Sequence, residues 1–141
     1  MASKQIFVDT NILVYAHDRD AEDKHHRANE RVAYLWHLPV APAISVQVLQ
    51  ELYVNLVRKQ VSENDARQTI TDYSAWHVVD NDRALLMQGI DLRERWQTSL
   101  WDALVLAAAK RARAGVIWSE DFNTDQNYDG IVVVNPLAGI T

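Results

Sequence analysis

Ile6-Phe7-Val8 is a run of three apolar side chains with no polar alternation, and that pattern restricts the fold more than any other stretch of the chain. A strand with one face in water alternates apolar and polar residues; a strand covered on both faces does not. Val116-Ile117-Trp118 and Ile131 to Val134 repeat the pattern. Between these runs lie segments with helical spacing. Strands alternating with helices predict an α/β fold in which a mostly parallel sheet is covered on both sides.

The expected elements follow in order. A helix runs from about Ile12 to His17, then a charged loop from Asp18 to Lys24. His25 to Leu38 reads as a helix with Ala28, Val32, Leu35 and Trp36 on one side, ended by Pro39. Val40 to Ile44 is a short extended piece that Pro42 marks as a weak or edge strand. Ser45 caps a helix to about Gln60, with Leu49, Leu52, Tyr53, Leu56 and Val57 as its apolar stripe and Glu51 off it. Ser62 opens a helix to about Ala75, and Trp76 to Val79 is a third short strand. Asn81 is the expected cap of a helix to about Gln97. Ser99, with Asp102 three residues on, begins an Ala-rich helix that Gly115 is placed to end. With Ile131 to Val134 the count reaches five strands in one continuous domain spanning residues 1–141.

The chain has 141 residues, enough for a real core, and its apolar (48%) and charged (23%) fractions are ordinary for a globular protein. It has no cysteine, which removes disulfides and thiolate metal sites and agrees with a cytoplasmic setting. Neither a signal peptide nor an apolar run long enough to cross a bilayer is visible, so no membrane partner is expected. The net charge of −5 is not the basic footprint of a passive nucleic-acid binder. Arg58-Lys59, Arg93 with Arg95, and Lys110-Arg111 with Arg113 are local cationic clusters, though each also suits a solvated face or a helix C-terminus.

Chemistry points to the acids. Asp9 follows the first apolar run, at the strand end where open parallel sheets place their ligand crevice. Asp121 follows the fourth run in the same way, with Glu120 as an adjacent competitor. Glu51 lies on one helix and Asp102 in the first turn of another. Each acid has a bland alternative: Asp9 and Asp102 stabilise helix starts, and an exposed Glu51 is commonplace. Taken together, four carboxylates meeting at one edge would repel, and a divalent cation is the simplest remedy. Asn123 and Asp125 are candidates for an added ligand or a supporting hydrogen bond. The five histidines show no zinc spacing, and His25-His26 is expected in solvent. An all-oxygen site suits Mg²⁺ or Mn²⁺. No phosphate-binding glycine loop and no nucleophile elbow is present. Trp96, Trp101 and Trp118 surround the acidic segments; core packing is their ordinary role and base stacking the alternative.

The ordered set Phe7-Val8-Asp9-Thr10-Asn11, Ser45 with Glu51, Ser99-Leu100-Trp101-Asp102-Ala103 and Ser119-Glu120-Asp121-Phe122 resembles the PIN-domain nucleases. Among them it is most similar to the VapC-type toxins of toxin–antitoxin modules, and the tail from Asp129 to Pro136 adds to the likeness. The resemblance implies a three-layer α/β/α sandwich around a mostly parallel sheet of four or five strands. It implies a Mg²⁺- or Mn²⁺-dependent endoribonuclease, with Asp9, Glu51, Asp102 and Asp121 as the catalytic and metal-holding acids and Asn11 and Ser119 as polar neighbours. It also implies an RNA substrate, a cognate antitoxin and a homodimer. The doubled acid Glu120-Asp121 departs from the family pattern and leaves the fourth position open. A PIN-type DNA or flap nuclease and a non-catalytic binding module on the same fold are the alternatives.

Overall fold

The computed structural model describes residues 5–122 and 126–138. Asn123 and Asp125 lie outside the described residues.

Among the described residues the strands are β1 (Gln5–Val8), β2 (Ala43–Ser45), β3 (His77–Val79), β4 (Ala114–Trp118), β5 (Asn127–Tyr128) and β6 (Ile131–Val134). They form one sheet in the order β3-β2-β1-β4-β6-β5. Every pairing is parallel except the two-residue β5, which folds back antiparallel on β6. The five expected strands are thus present, and the sixth is a short hairpin arm with no apolar run of its own. Helices α1 (Thr10–His17), α2 (Asp23–Trp36), α3 (Val46–Arg58), α4 (Glu63–Tyr73), α5 (Arg83–Trp96) and α6 (Leu100–Arg111) flank the sheet. The result is the three-layer α/β/α arrangement.

The unalternated runs behave as their composition requires. Phe7, Val8, Ile44, Ile117 and Val133 are buried, as is the whole of α6 from Ala103 to Ala109. Alanines let this helix pack closely, and Gly89 of α5 meets it where a Cβ would stand 2.6 Å from Leu104 Cδ2. Fully burying a Leu, Ile or Phe is worth about 1.5–3 kcal/mol, so these layers carry much of the fold's stability.

Several local expectations are corrected. β2 is not an edge strand: it lies between β1 and β3. Pro42 stands just before it, where its missing N–H costs nothing and its carbonyl accepts from His77 N at 3.1 Å. Helix α5 is capped by Asp82, whose carboxylate accepts from Leu85 N at 2.8 Å, not by Asn81. Gly115 does not end α6 but lies within β4, and Arg113 takes the left-handed turn (φ 60°). The buried stripe of α3 is Val48, Leu52 and Leu56; Tyr53 and Val57 are exposed. The i, i+4, i+8 row is the one that joins the core, while Tyr53 lines a surface groove with α4 residues such as Arg67 and Ile70. Helix α2 begins two residues earlier than expected, and His25 Nδ1 lies 2.9 Å from the Tyr15 carbonyl, not free in solvent.

The topology locates the ligand crevice. From β1 the chain builds outward through β2 and β3, then crosses to the other side for β4 and β6. The winding reverses at the β1–β4 pair, and the cleft outside the carboxyl ends of such a pair is where open α/β sheets bind ligands.

Candidate active site at the carboxyl end of the sheet

Asp9 leaves β1 at this reversal point. Val8 pairs with Trp118 across the sheet, and Asp9 N donates to the Trp118 carbonyl at 2.9 Å. The backbone therefore holds Asp9 beside Ser119, the residue that leaves β4. Ser119 Oγ donates to Asp9 Oδ2 at 2.8 Å and accepts from Asp121 N at 3.1 Å. One hydroxyl thus joins the ends of both central strands. Asn11 Nδ2 lies 3.4 Å from the same oxygen. The other Asp9 oxygen accepts from Thr10 N at 2.8 Å, so Asp9 also caps α1. The capping role and a ligand role coexist in one side chain.

Glu51 comes from α3, which starts directly after β2 at the Ser45 cap. Thr10 Oγ1 donates to Glu51 Oε1 at 2.8 Å, bringing the carboxylate to the start of α1. Gln47, one helical turn earlier and buried, reaches the same oxygen at 3.4 Å. Asp102 sits in the first turn of α6, where its backbone N donates to Ser99 Oγ at 3.1 Å. Thr98 Oγ1 lies 3.4 Å from Asp102 Oδ2.

The electrostatics tie these groups together. Burial pushes the Asp9 carboxyl up to about 6, and the negative charges of Asp121 and Glu51 push the same way. Hydrogen bonds from Ser119 and Thr10 oppose the rise. Asp102 is also raised, by burial first and then by the charge of Asp121. Asp121 therefore bears on both Asp9 and Asp102, and Glu51 bears on Asp9. Glu120 is engaged elsewhere: it accepts from Tyr15 Oη at 2.6 Å and pairs with Lys24 Nζ at 3.2 Å.

These groups fit a small hard cation in a particular way. Every donor is oxygen, and among the described residues Asn11 Oδ1 is a buried acceptor with no hydrogen-bond partner. Ionised Asp9 is costly without a counter-charge. No three acidic or imidazole side chains among the described residues already cluster closely enough to hold one ion. An all-oxygen donor set with an unpartnered amide oxygen beside it suits a hard divalent cation.

Gln47, Thr10 and Thr98 were not legible as site residues. Gln47 lies four residues before Glu51, and that spacing on a helix was the available signal. Thr10 and Thr98 take part through contacts that a linear sequence does not display.

The PIN domain profile matches residues 6–129, and the chain belongs to the PIN-domain family. Its fold is that of VapC-type toxins. A toxin–antitoxin complex from Klebsiella pneumoniae superposes with a TM-score of 0.69 at 22% identity, covering 94% of this chain and 98% of that one. VapC20 of Mycobacterium tuberculosis, a toxin that cleaves the sarcin–ricin loop, gives 0.65 at 20% identity over 83% and 92%. FitAcB from Neisseria gonorrhoeae gives 0.66 at 19% over 95% and 99%. No curated protein matches the chain significantly by sequence. No helix among the described residues is long and apolar enough to cross a membrane.

Proposed function

We propose that this chain is a metal-dependent endoribonuclease and the toxin of a toxin–antitoxin pair. The observation that carries the reading is Asp9: a buried carboxylate at the reversal point of the sheet, under the charges of Glu51 and Asp121 and held by Ser119. Burying an unpaired carboxylate is expensive, and a folded domain keeps one where chemistry needs it.

In this reading Asp9 and Asp102 would hold Mg²⁺ or Mn²⁺, with Asp121 reaching it through water. When bound, the cation supplies positive charge to the phosphoryl oxygens and makes water a better nucleophile at neutral pH. Glu51, fixed by Thr10 and Gln47, orients the attacking water. Ser119 holds the Asp9 carboxylate in place, and Asn11 supports the Ser119 hydroxyl. No side chain becomes a covalent nucleophile, and the product carries a 5′-phosphate. The toxin assignment draws on the shared fold with the Klebsiella complex and with VapC20. It carries with it an antitoxin partner, a homodimer and a cytoplasmic setting.

The test is cleavage of total RNA with Mg²⁺ or Mn²⁺ titrated in, comparing wild type with Asp9→Asn. Loss of cleavage in the variant, and in wild type under EDTA, is expected. Undiminished cleavage by Asp9→Asn sinks the scheme.

A further inference from the structure

Trp101 is 63% exposed, the highest value of any large apolar side chain among the described residues. The other two tryptophans near the acids are accommodated: Trp118 is buried, and Trp96 packs edge-on against Tyr128 at 4.9 Å. A tryptophan carries roughly 150–250 Å² of surface that packing would reward. In the first turn of α6 that surface is left in water, immediately before Asp102.

Its backbone is tied to the site. The Trp101 carbonyl lies 3.5 Å from Gln47 Nε2, and the same nitrogen lies 3.4 Å from Glu51 Oε1. The buried Gln47 thus ties the backbone under the indole to the acid on α3. The charge balance then bears on how a nucleic acid is held here. The chain carries a net charge of −5, so its overall charge does not draw a polyanion to it. An uncharged aromatic face supplies affinity for a nucleic acid without phosphate contacts. It accepts any base, but only an unpaired one.

We infer that Trp101 is a stacking platform for an unpaired base of the RNA, beside the phosphate that is hydrolysed. The inference rests on the nuclease reading for the phosphate, but the stacking is measurable without turnover. A strand seated this way is single-stranded at the site.

The test is fluorescence anisotropy with a labelled oligoadenylate of about twelve nucleotides, in Ca²⁺ buffer, with probe integrity checked on a gel. An abasic ribose-phosphate strand of equal length serves as the second probe. Loss of one stacked base is expected to weaken oligoadenylate binding by Trp101→Ala about 10-fold, within a range of roughly 5 to 150. Trp101→Phe is expected to stay within a few-fold of wild type. The ratio should hold at two salt concentrations, because stacking releases no counterions. The abasic strand should bind wild type and Trp101→Ala equally. Equal oligoadenylate affinity in wild type and Trp101→Ala overturns the inference, as does no measurable binding by wild type. So does an equal loss on both probes, or a Trp101→Ala defect confined to binding a protein partner. Base-dependent binding without cleavage under any divalent ion would instead sink the nuclease reading and leave the platform standing.

Discussion

Ser119 Oγ and Asp9 Oδ2 are 2.8 Å apart in a buried hydrogen bond that joins the carboxyl ends of the two central strands. It partly offsets the burial of the Asp9 carboxylate. Bonds to charged groups are worth roughly 1.5–3 kcal/mol, so removing the hydroxyl moves the Asp9 pKa up by about one unit or more. The same oxygen accepts from Asp121 N, so Ser119→Ala also frees the turn that carries Asp121. Cleavage by Ser119→Ala is expected to fall about 10–100-fold. The acidic limb of its pH–rate profile should move to higher pH. An unshifted limb would show that Ser119 does not tune Asp9.

Asp9 has a consequence for stability. Its folded pKa, about 6, lies above the ordinary 3.8. Between these values the folded chain keeps a proton that the unfolded chain has lost, so stability falls as pH rises through this window and stays reduced above it. This rise corresponds to about 3 kcal/mol. Metal-free Asp9→Asn is therefore expected to be more stable than wild type at pH 7.5 by about 1–3 kcal/mol, since Asn still caps α1. The gain should vanish near pH 3.5. Mn²⁺ should then raise the melting temperature of wild type and leave Asp9→Asn unmoved; saturation at a hundred times Kd adds about 2.7 kcal/mol. Urea melts at the two pH values, with and without Mn²⁺, check both arms.

The fold was legible because its signals are local and repeated. Unalternated runs such as Ile6 to Val8 mark doubly covered strands, and Ser45, Ser62 and Ser99 mark helix starts; each hydroxyl accepts the expected backbone N–H. What the sequence concealed is set by tertiary contact. Pro42 suggested an edge, yet β2 is interior because the proline stops short of the ladder. Asn81 and Asp82 are both good caps, and the choice fell to Asp82, which also pairs with Arg111 at 2.8 Å. The acids were legible as strand-end and helix-start residues. The Thr10–Glu51 and Gln47–Trp101 contacts were not, since they depend on how α3 lies against α1 and α6.

Gly89 is expected to resist substitution. On propensity alone Gly→Ala within α5 gains about 1 kcal/mol. The added Cβ, however, meets Leu104 Cδ2 at 2.6 Å and Cγ at 3.3 Å. Leu104 is buried, and overpacking of this kind costs about 1–3 kcal/mol. Gly89→Ala should therefore lose about 1 kcal/mol net in urea unfolding. A gain would mean that Leu104 finds another rotamer at no cost.

The doubled acid after β4 makes a sharp comparison possible. Glu120 is occupied by Tyr15 Oη and Lys24 Nζ, whereas the charge of Asp121 acts on both Asp9 and Asp102. If the fourth acid of the site is Asp121, Asp121→Asn should lower cleavage by about 10–100-fold or more. It should also lower the pKa of Asp9, because a repelling charge has gone. Glu120→Gln should leave cleavage within a few-fold and cost less than about 1 kcal/mol of stability, as a partly exposed ion pair does. Parallel cleavage assays and melts of the two variants decide it. The reverse ranking would move the fourth acid to Glu120 and require the Tyr15 and Lys24 contacts to break when substrate binds.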